Sequence, residues 1–334
     1  MEANTRKESG SAVPAVHRIG VLDMGSNTIK LLVAEPVADP RPGLKVIEMA
    51  IEECRVSRGI GASGPLVFEE NSMAAAVDAI DRLRKVAEKR GAGRLLAVAT
   101  SAVRDAVNRE AFVERVRLAT GVELRVLSGE EEAKASACGL AYDPQLSMGT
   151  NILHFDIGGG SLECNRIVDG RHVSGISLPL GAVRVTEQWI RDPFQPIPED
   201  ELFRIRAHTA DYLHQSGMGG SAGMEVVFTG GSVTIARAII AAKEAREDST
   251  GVLSAIQLES LLKVLSERSY AERVGIPGLP PNRADVAPAA IAVVLEVLKV
   301  LGVDYLLHSR YGLRHGLAVQ YFFGNPFGEV LPSG

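Results

Sequence analysis

Ile19-Gly20-Val21-Leu22-Asp23-Met24-Gly25-Ser26-Asn27-Thr28 and Ile152-Leu153-His154-Phe155-Asp156-Ile157-Gly158-Gly159-Gly160-Ser161 superpose at a single offset. Each is an apolar run, then Asp-x-Gly, then small or amide residues, then a hydroxyl, then another apolar run. Asp23 falls on Asp156, Gly25 on Gly158 and Thr28 on Ser161. A strand that turns tightly on glycines presents backbone N–H groups to whatever sits in the turn. A phosphate fits such a nest, and an aspartate at the strand end can hold a metal ion or a water beside it. A single Asp-x-Gly between apolar runs is ordinarily a hairpin turn. Two of them, each followed by a hydroxyl and a domain's length apart, point to a duplicated fold that grips a phosphate chain from both sides.

The rest of the composition narrows the class. A chain of 334 residues is long enough for two domains. The longest apolar run, residues 287–303, is interrupted by Glu296 and Lys299 and reads as a buried helix rather than a membrane span. Residues 1–17 are polar and of mixed charge, which predicts a disordered tail and not a signal peptide. Three scattered cysteines (Cys54, Cys138, Cys164) argue against a disulfide framework and a zinc site, and favour a cytoplasmic setting. A net charge of −5 excludes the usual profile of a DNA binder. A polyanionic substrate would have to be drawn by a local cleft.

Outward from the first hairpin the pattern predicts strands at 19–24, 28–35 and 44–51 and a helix over 72–90, followed by strand 95–99, helix 101–119, strand 123–127 and helix 129–140. Three strands recur after Asn151, at 152–157, 161–168 and 171–178, and helices and strands alternate from there. This order predicts an α/β protein of two ribonuclease-H-like domains, each a mixed five-stranded sheet flanked by helices. The first domain spans 18–141 and is completed by a returning helix at 312–323. The second spans 150–311, with the boundary in the irregular stretch 141–150. Residues 275–282, rich in proline, connect the last long helices.

Three further segments carry chemistry. At Thr100-Ser101-Ala102-Val103-Arg104 a strand runs into a helix that Thr100 or Ser101 would cap, with Arg104 one turn in and suited to a bidentate grip on phosphate. Ser128-Gly129-Glu130-Glu131-Glu132-Ala133 opens a helix with three acids. Successive helical residues diverge around the axis, so one faces the cleft, and the small residues after Glu132 make it the inward carboxylate. Glu163 shares a strand face with Ser161 and, with Asp156, would make an oxygen-rich magnesium site. Thr229-Gly230-Gly231-Ser232 is another strand-to-helix turn, which reads either as a phosphate-binding helix start or as a packed glycine turn.

Together these segments, in order with Leu178-Pro179-Leu180-Gly181-Ala182-Val183-Arg184 and Gly312-Leu313-Arg314, resemble the exopolyphosphatase / guanosine pentaphosphate phosphatase (Ppx/GppA) family from Ile19 to about Gln320. Actin, acetate kinase and the sugar kinases share the hairpins but not the Ser-Gly-x-Glu-Glu-Ala segment. The resemblance implies that Glu132 is the general base, that Asp156 and Glu163 sit near magnesium (or manganese), and that Asn27, Arg104 and the turn Gly158, Gly159, Gly160, Ser161 hold phosphate oxygens. Asp23, Gly25, Ser26 and Thr28 of the first hairpin, with Gly230 and Gly231, complete the expected substrate contacts. Two departures stand out: Arg55-Val56-Ser57-Arg58-Gly59 where members often carry Arg-Leu-Gly-Glu-Gly, and Leu313-Arg314-His315-Gly316 where they often carry Leu-Arg-Glu-Gly.

The expected reaction is hydrolysis of a terminal phosphoanhydride, of inorganic polyphosphate or of guanosine pentaphosphate, by a cytoplasmic homodimer that binds neither DNA nor membrane. The alternatives are a kinase of the same superfamily and a non-catalytic polyphosphate or alarmone sensor; retention of Glu132, Asp156 and Glu163 argues against the sensor. Longer members carry a further C-terminal histidine-aspartate-type domain. Its absence here leads to the expectation of distributive action on shorter chains.

Overall fold

The computed structural model describes residues 16–38, 42–61, 64–146, 151–220, 223–244 and 251–327. Most of the expected tail and the end of the expected boundary, residues 147–150, lie outside these.

β1 (Ile19–Met24) pairs antiparallel with β2 (Thr28–Val37), and β2 antiparallel with β3 (Gly43–Glu53). The chain then crosses through α1 (Glu70–Lys89) to β4 (Arg94–Ala99), parallel to β1. From there α2 (Ser101–Asp105) and α3 (Arg109–Thr120) lead to β5 (Leu124–Val126), parallel to β4. The sheet order is β3-β2-β1-β4-β5. After α4 (Gly129–Leu140) the plan repeats. β6 (Ile152–Ile157), β7 (Leu162–Val168) and β8 (Arg171–Leu178) form an antiparallel meander, followed by α5 (Ala182–Trp189) and α6 (Glu199–Gln215). β9 (Glu225–Thr229), α7 (Gly231–Glu244), β10 (Val252–Ser254), α8 (Ala255–Ser266), α9 (Tyr270–Val274), α10 (Ala287–Leu301), β11 (Tyr305–His308) and α11 (Leu313–Phe323) complete the chain.

The second sheet runs β10-β11-β9-β6-β7-β8. With β10 set aside, its order is that of the first sheet. The duplication read from two decapeptides therefore extends to the topology. The expected five strands become six here, because β10 adds antiparallel to the edge of β11.

Alternation along β1 shows why both of its faces are apolar. Leu22 and Met24 belong to the cluster containing Ile80 and Leu83 of α1, whereas Ile19 and Val21 pack with Leu32, Ala34 and Ala318 of α11. A strand with hydrogen-bonded neighbours on both sides and a helix on each face is buried throughout, which is why it reads as one apolar run. α11 thus covers the first sheet, while α4 packs on β7, β8 and α11. α10 is buried along almost its whole length, with its Glu296 paired to Lys299 at 3.2 Å. Among the described residues no helix is long and apolar enough to cross a membrane.

The expected single helix over 101–119 is two. Ala106 leaves helical geometry with ψ 133°. Asn108 then pins a distant loop, its Oδ1 accepting from Phe68 N and its Nδ2 donating to Phe68 O, both at 3.0 Å. Thr100 occupies the N-cap of α2 without a side-chain capping bond; its hydroxyl leans instead toward Met24 O at 3.4 Å.

Contact between α4 and α11 depends on missing side chains. A Cβ on Gly316 would collide with the carbonyl of Ala135, and one on Gly139 with the carbonyls of Tyr311 and Gly312. Backbone atoms cannot rotate away as a flexible side chain can. Gly316→Ala should therefore cost about 3 kcal/mol or more of folding stability, read as a lower urea midpoint; a midpoint equal to wild type would mean that the two helices separate freely.

Candidate active site

The two hairpins match in detail. Gly25 N donates to Thr28 O at 3.1 Å, and Gly158 N to Ser161 O at 3.0 Å. In each, neighbouring elements take up carbonyl oxygens. Cys54 N donates to Asn27 O at 3.2 Å and Ser57 Oγ to Ser26 O at 2.8 Å, while the first N–H groups of α5 serve the second turn, Ala182 N to Gly158 O at 2.9 Å and Val183 N to Gly159 O at 2.8 Å. The N–H groups of Ser26, Asn27, Gly159 and Gly160 make no backbone hydrogen bond among the described residues. Each turn is thus a set of donors held from behind by its own carbonyls, the geometry of an anion nest. The turns face each other closely: a Cβ on Gly159 would lie 2.9 Å from Ser26 Cβ. Asn27 Nδ2 is buried with no hydrogen-bond partner.

Carboxylates gather behind the turns. Ser128 and Glu131 close a capping box at the start of α4, with Glu131 N donating to Ser128 Oγ at 3.2 Å and Ser128 N to Glu131 Oε2 at 2.8 Å. Glu131 is thereby turned back on its own helix, Glu130 is exposed, and Glu132 points inward at 6% exposure. Arg104 Nη1 donates to Glu132 Oε2 at 2.8 Å and to Leu127 O at 3.0 Å. Asp156 and Glu163 stand directly opposite each other on β6 and β7. Asp156 accepts from Ser136 of α4, and Glu163 Oε1 from Ser177 Oγ at 2.7 Å. Burial, then the charge of Asp156, pushes Glu163 up to about 7. Burial, then the charge of Glu163, holds Glu132 well above the ordinary carboxylate range, against the pull of Arg104. Asp23 is raised by burial, with Lys30 and Arg314 pulling it down.

This donor set fits a hard divalent cation. All the groups are oxygen, and both Asp156 oxygens are flanked by glycine: a Cβ on Gly230 (φ +103°) would lie 2.9 Å from Oδ1, and one on Gly312 3.1 Å from Oδ2. Among the described residues no cluster of three or more acid, histidine or cysteine side chains is set to hold a metal. The two facing carboxylates would suit a hard ion that completes its shell with water and phosphate oxygens.

Cations close the cleft from both sides. Arg55 Nε donates to Asn27 Oδ1 at 2.7 Å, and its outer nitrogens grip Asp285 at 2.5 and 3.2 Å. Arg283 Nη2 lies 3.4 Å from Thr28 Oγ1. Arg184 of α5 reaches Gly160 O at 2.7 Å, Ile60 O at 3.2 Å and the Asp105 carboxylate. Glu187 accepts from Gly59 N and Gly61 N at 3.0 and 3.1 Å.

Every candidate named from the sequence lies on these facing elements. Gly230 and Gly231 carry the chain from β9 into α7, with Gly230 against Asp156. Sequence reasoning missed Arg283 and Asp285, just beyond the stretch 275–282 read as a connector, together with Ser136 and Ser177. Lys30 left a signal that was not used, a charge set beside the apolar run Leu31–Ala34 of β2.

Residues 33–322 match the Ppx/GppA phosphatase family. The chain belongs to that family. Exopolyphosphatase 1 of Mycobacterium tuberculosis is 31% identical over 319 residues, covering 94% of this chain and 91% of that protein. Exopolyphosphatase 2 of the same organism is 29% identical over 92% of this chain and 99% of its own length. A crystal structure of the Aquifex aeolicus Ppx/GppA family member superposes with a TM-score of 0.74 at 25% identity, over 92% of this chain and 97% of that one. An exopolyphosphatase from Cytophaga hutchinsonii shares the fold with a TM-score of 0.82 at 23% identity, over 93% and 100%. The protein is accordingly a hydrolase of the Ppx/GppA phosphatase type, built on the actin-like fold of two mixed sheets.

Its two departures from the family pattern have different surroundings. Arg58 is exposed and makes no ion pair among the described residues. His315 is buried at 5% exposure against the Tyr311 ring. Burial, then the charge of Arg314, lowers its pKa to about 4. The unfolded chain binds this proton at higher pH than the folded one. The resulting stability is full above about pH 6.5 and is lost as the pH falls toward 4, a term of about 3 kcal/mol. His315→Gln should flatten the acid limb of the stability curve measured by urea unfolding. An unchanged slope would place the loss elsewhere.

Proposed function

We propose that this Ppx/GppA phosphatase removes the terminal phosphate of inorganic polyphosphate. The reading rests on one arrangement: two facing nests of backbone donors, one flanked by the unpartnered Asn27 amide nitrogen, with the buried Glu132 carboxylate brought in at the start of α4 and held by Arg104. The names of the two mycobacterial relatives favour polyphosphate over guanosine pentaphosphate as the substrate.

In this mechanism the nests of Ser26–Asn27 and Gly159–Gly160 hold the oxygens of successive phosphates. Asn27 Nδ2 supplies a further donor. Glu132 accepts a proton from water as that water attacks the terminal phosphorus in line. The bond from that phosphorus to the bridging oxygen breaks, leaving orthophosphate and a chain one unit shorter. Arg104 orients Glu132 through its 2.8 Å bond and would share the charge that develops on the phosphoryl oxygens. Asp156 and Glu163 would hold magnesium, which when bound supplies charge neutralisation beside those oxygens.

The test is orthophosphate release from polyphosphate and from guanosine pentaphosphate, side by side, with magnesium. A higher kcat/KM on polyphosphate is expected. A higher value on the nucleotide would reassign the substrate, tight binding without release would make the protein a sensor, and transfer to a sugar alcohol would make it a kinase.

A further inference from the structure

Resting on the hydrolase reading above, we propose that His154 is a positioning residue of the active site, acting through the Thr229 hydroxyl and held from behind by Asn165 and His172. Four side chains on four adjacent strands form one line. His172 Nε2 (β8) lies 2.8 Å from Asn165 Oδ1 (β7), Asn165 Nδ2 lies 3.1 Å from His154 Nδ1 (β6), and His154 Nε2 lies 2.9 Å from Thr229 Oγ1 (β9). His154 and Asn165 are fully buried and Thr229 is 1% exposed.

The line runs one register step behind the carboxylates. His154 is opposite Asn165 as Asp156 is opposite Glu163, and side chains two apart on a strand share a face. Asp156 is in turn paired with Thr229 across β6 and β9. The surrounding strand is apolar, so a buried imidazole at 154 is costly unless both of its nitrogens are satisfied. They are, and the neighbouring strand accommodates it. Gly175 stands opposite Asn165, where a Cβ would lie 2.6 Å from Asn165 Oδ1 and 3.0 Å from His172 Nε2. Any side chain there would break the line.

Polarity follows from donor chemistry. An amide nitrogen only donates, so His154 Nδ1 accepts and the ring proton sits on Nε2, given to Thr229 Oγ1. A hydroxyl that accepts on that side sends its own proton the other way. Asp156 is the charged neighbour on offer there: it is paired with Thr229 across the sheet, and a Cβ on Gly312 would lie 3.5 Å from Thr229 Oγ1 and 3.1 Å from Asp156 Oδ2. His154 thus fixes the direction of a hydroxyl beside the carboxylate expected to meet metal and phosphate.

Two measurements test this. Imidazole nitrogen NMR of the wild-type protein should show His154 protonated on Nε2 with a slowly exchanging proton; a proton on Nδ1 would overturn the proposal whatever the substrate. Kinetics then use whichever of the two phosphate substrates the wild type hydrolyses. His154→Phe and Thr229→Val should each lower kcat about tenfold, as loss of an outer orienting partner does, with KM within about twofold. The double variant should be no worse than the poorer single by more than about twofold, and Thr229→Ser should recover most of the rate lost in Thr229→Val. Unchanged kcat in Thr229→Val, or additive losses, would reduce the line to core packing. Should His154→Phe fail to fold, the Val and Ser variants at 229 and the spectrum still decide. A wild type inactive on both substrates would remove the hydrolytic reading, and the tautomer would still be read by itself.

Discussion

Glu132→Gln should lower turnover by about 10²–10⁴, the usual loss when a general base is removed, with KM unchanged or reduced. Neutralising a carboxylate that faces a polyanion removes repulsion, so substrate still binds. The same substitution should stabilise the fold. Burial and Glu163 outweigh Arg104 and hold the Glu132 carboxyl above its ordinary range. The unfolded chain therefore ionises first as the pH rises, and stability that is complete below the ordinary carboxylate range is lost as the pH climbs through the raised value. Glutamine has no proton to lose there, and its amide oxygen can still accept from Arg104. At pH 8 the variant should show a higher Tm than wild type while releasing almost no phosphate. The companion is Glu131→Gln: that side chain caps α4 and pairs with Arg125, and glutamine also serves in a capping box. Its rate should match wild type. Turnover in Glu132→Gln within a few-fold of wild type would remove this residue from the chemistry.

What the sequence disclosed and what it withheld divide along the range of the interactions. The two hairpins were legible because their determinants are local: an apolar strand, a glycine turn and a hydroxyl within ten residues. Glu132 was legible because helical geometry leaves one of three successive acids facing inward and small residues follow it. The break between α2 and α3 was not, since Asn108 is drawn out by Phe68, 40 positions earlier. The Arg55–Asp285 clasp joins residues 230 apart, and nothing near either one announces the other. The sixth strand of the second sheet is three residues long, too short for a period to show. His154 lay inside a quoted motif and passed for one more strand residue. Its partners Asn165, His172 and Thr229 come from three other strands, so only the sheet register brings the line together.

Removal of divalent metal should abolish phosphate release, and magnesium or manganese should restore it. Asp156 and Glu163 face each other across β6 and β7, and burial, then the charge of Asp156, pushes Glu163 up to about 7. Two carboxylates this close do not both ionise readily without a cation, and an oxygen-only pair selects a hard ion over zinc. Asp156→Asn and Glu163→Gln should each raise the magnesium concentration needed for half-maximal rate by about 10-fold or more, and the double variant should not respond at all. A readout independent of turnover accompanies this. Magnesium that binds only the folded protein raises its stability by about 2.7 kcal/mol at one hundred times Kd, so wild-type Tm at pH 8 should climb with added magnesium while the double variant stays flat. The Tm of the double variant without metal should also exceed that of wild type, because the repulsion has gone. Undiminished hydrolysis in excess chelator would refute the metal assignment. A magnesium-dependent rise in Tm that persists in the double variant would move the ion to the other acid of the cleft that faces Asp156, Asp23.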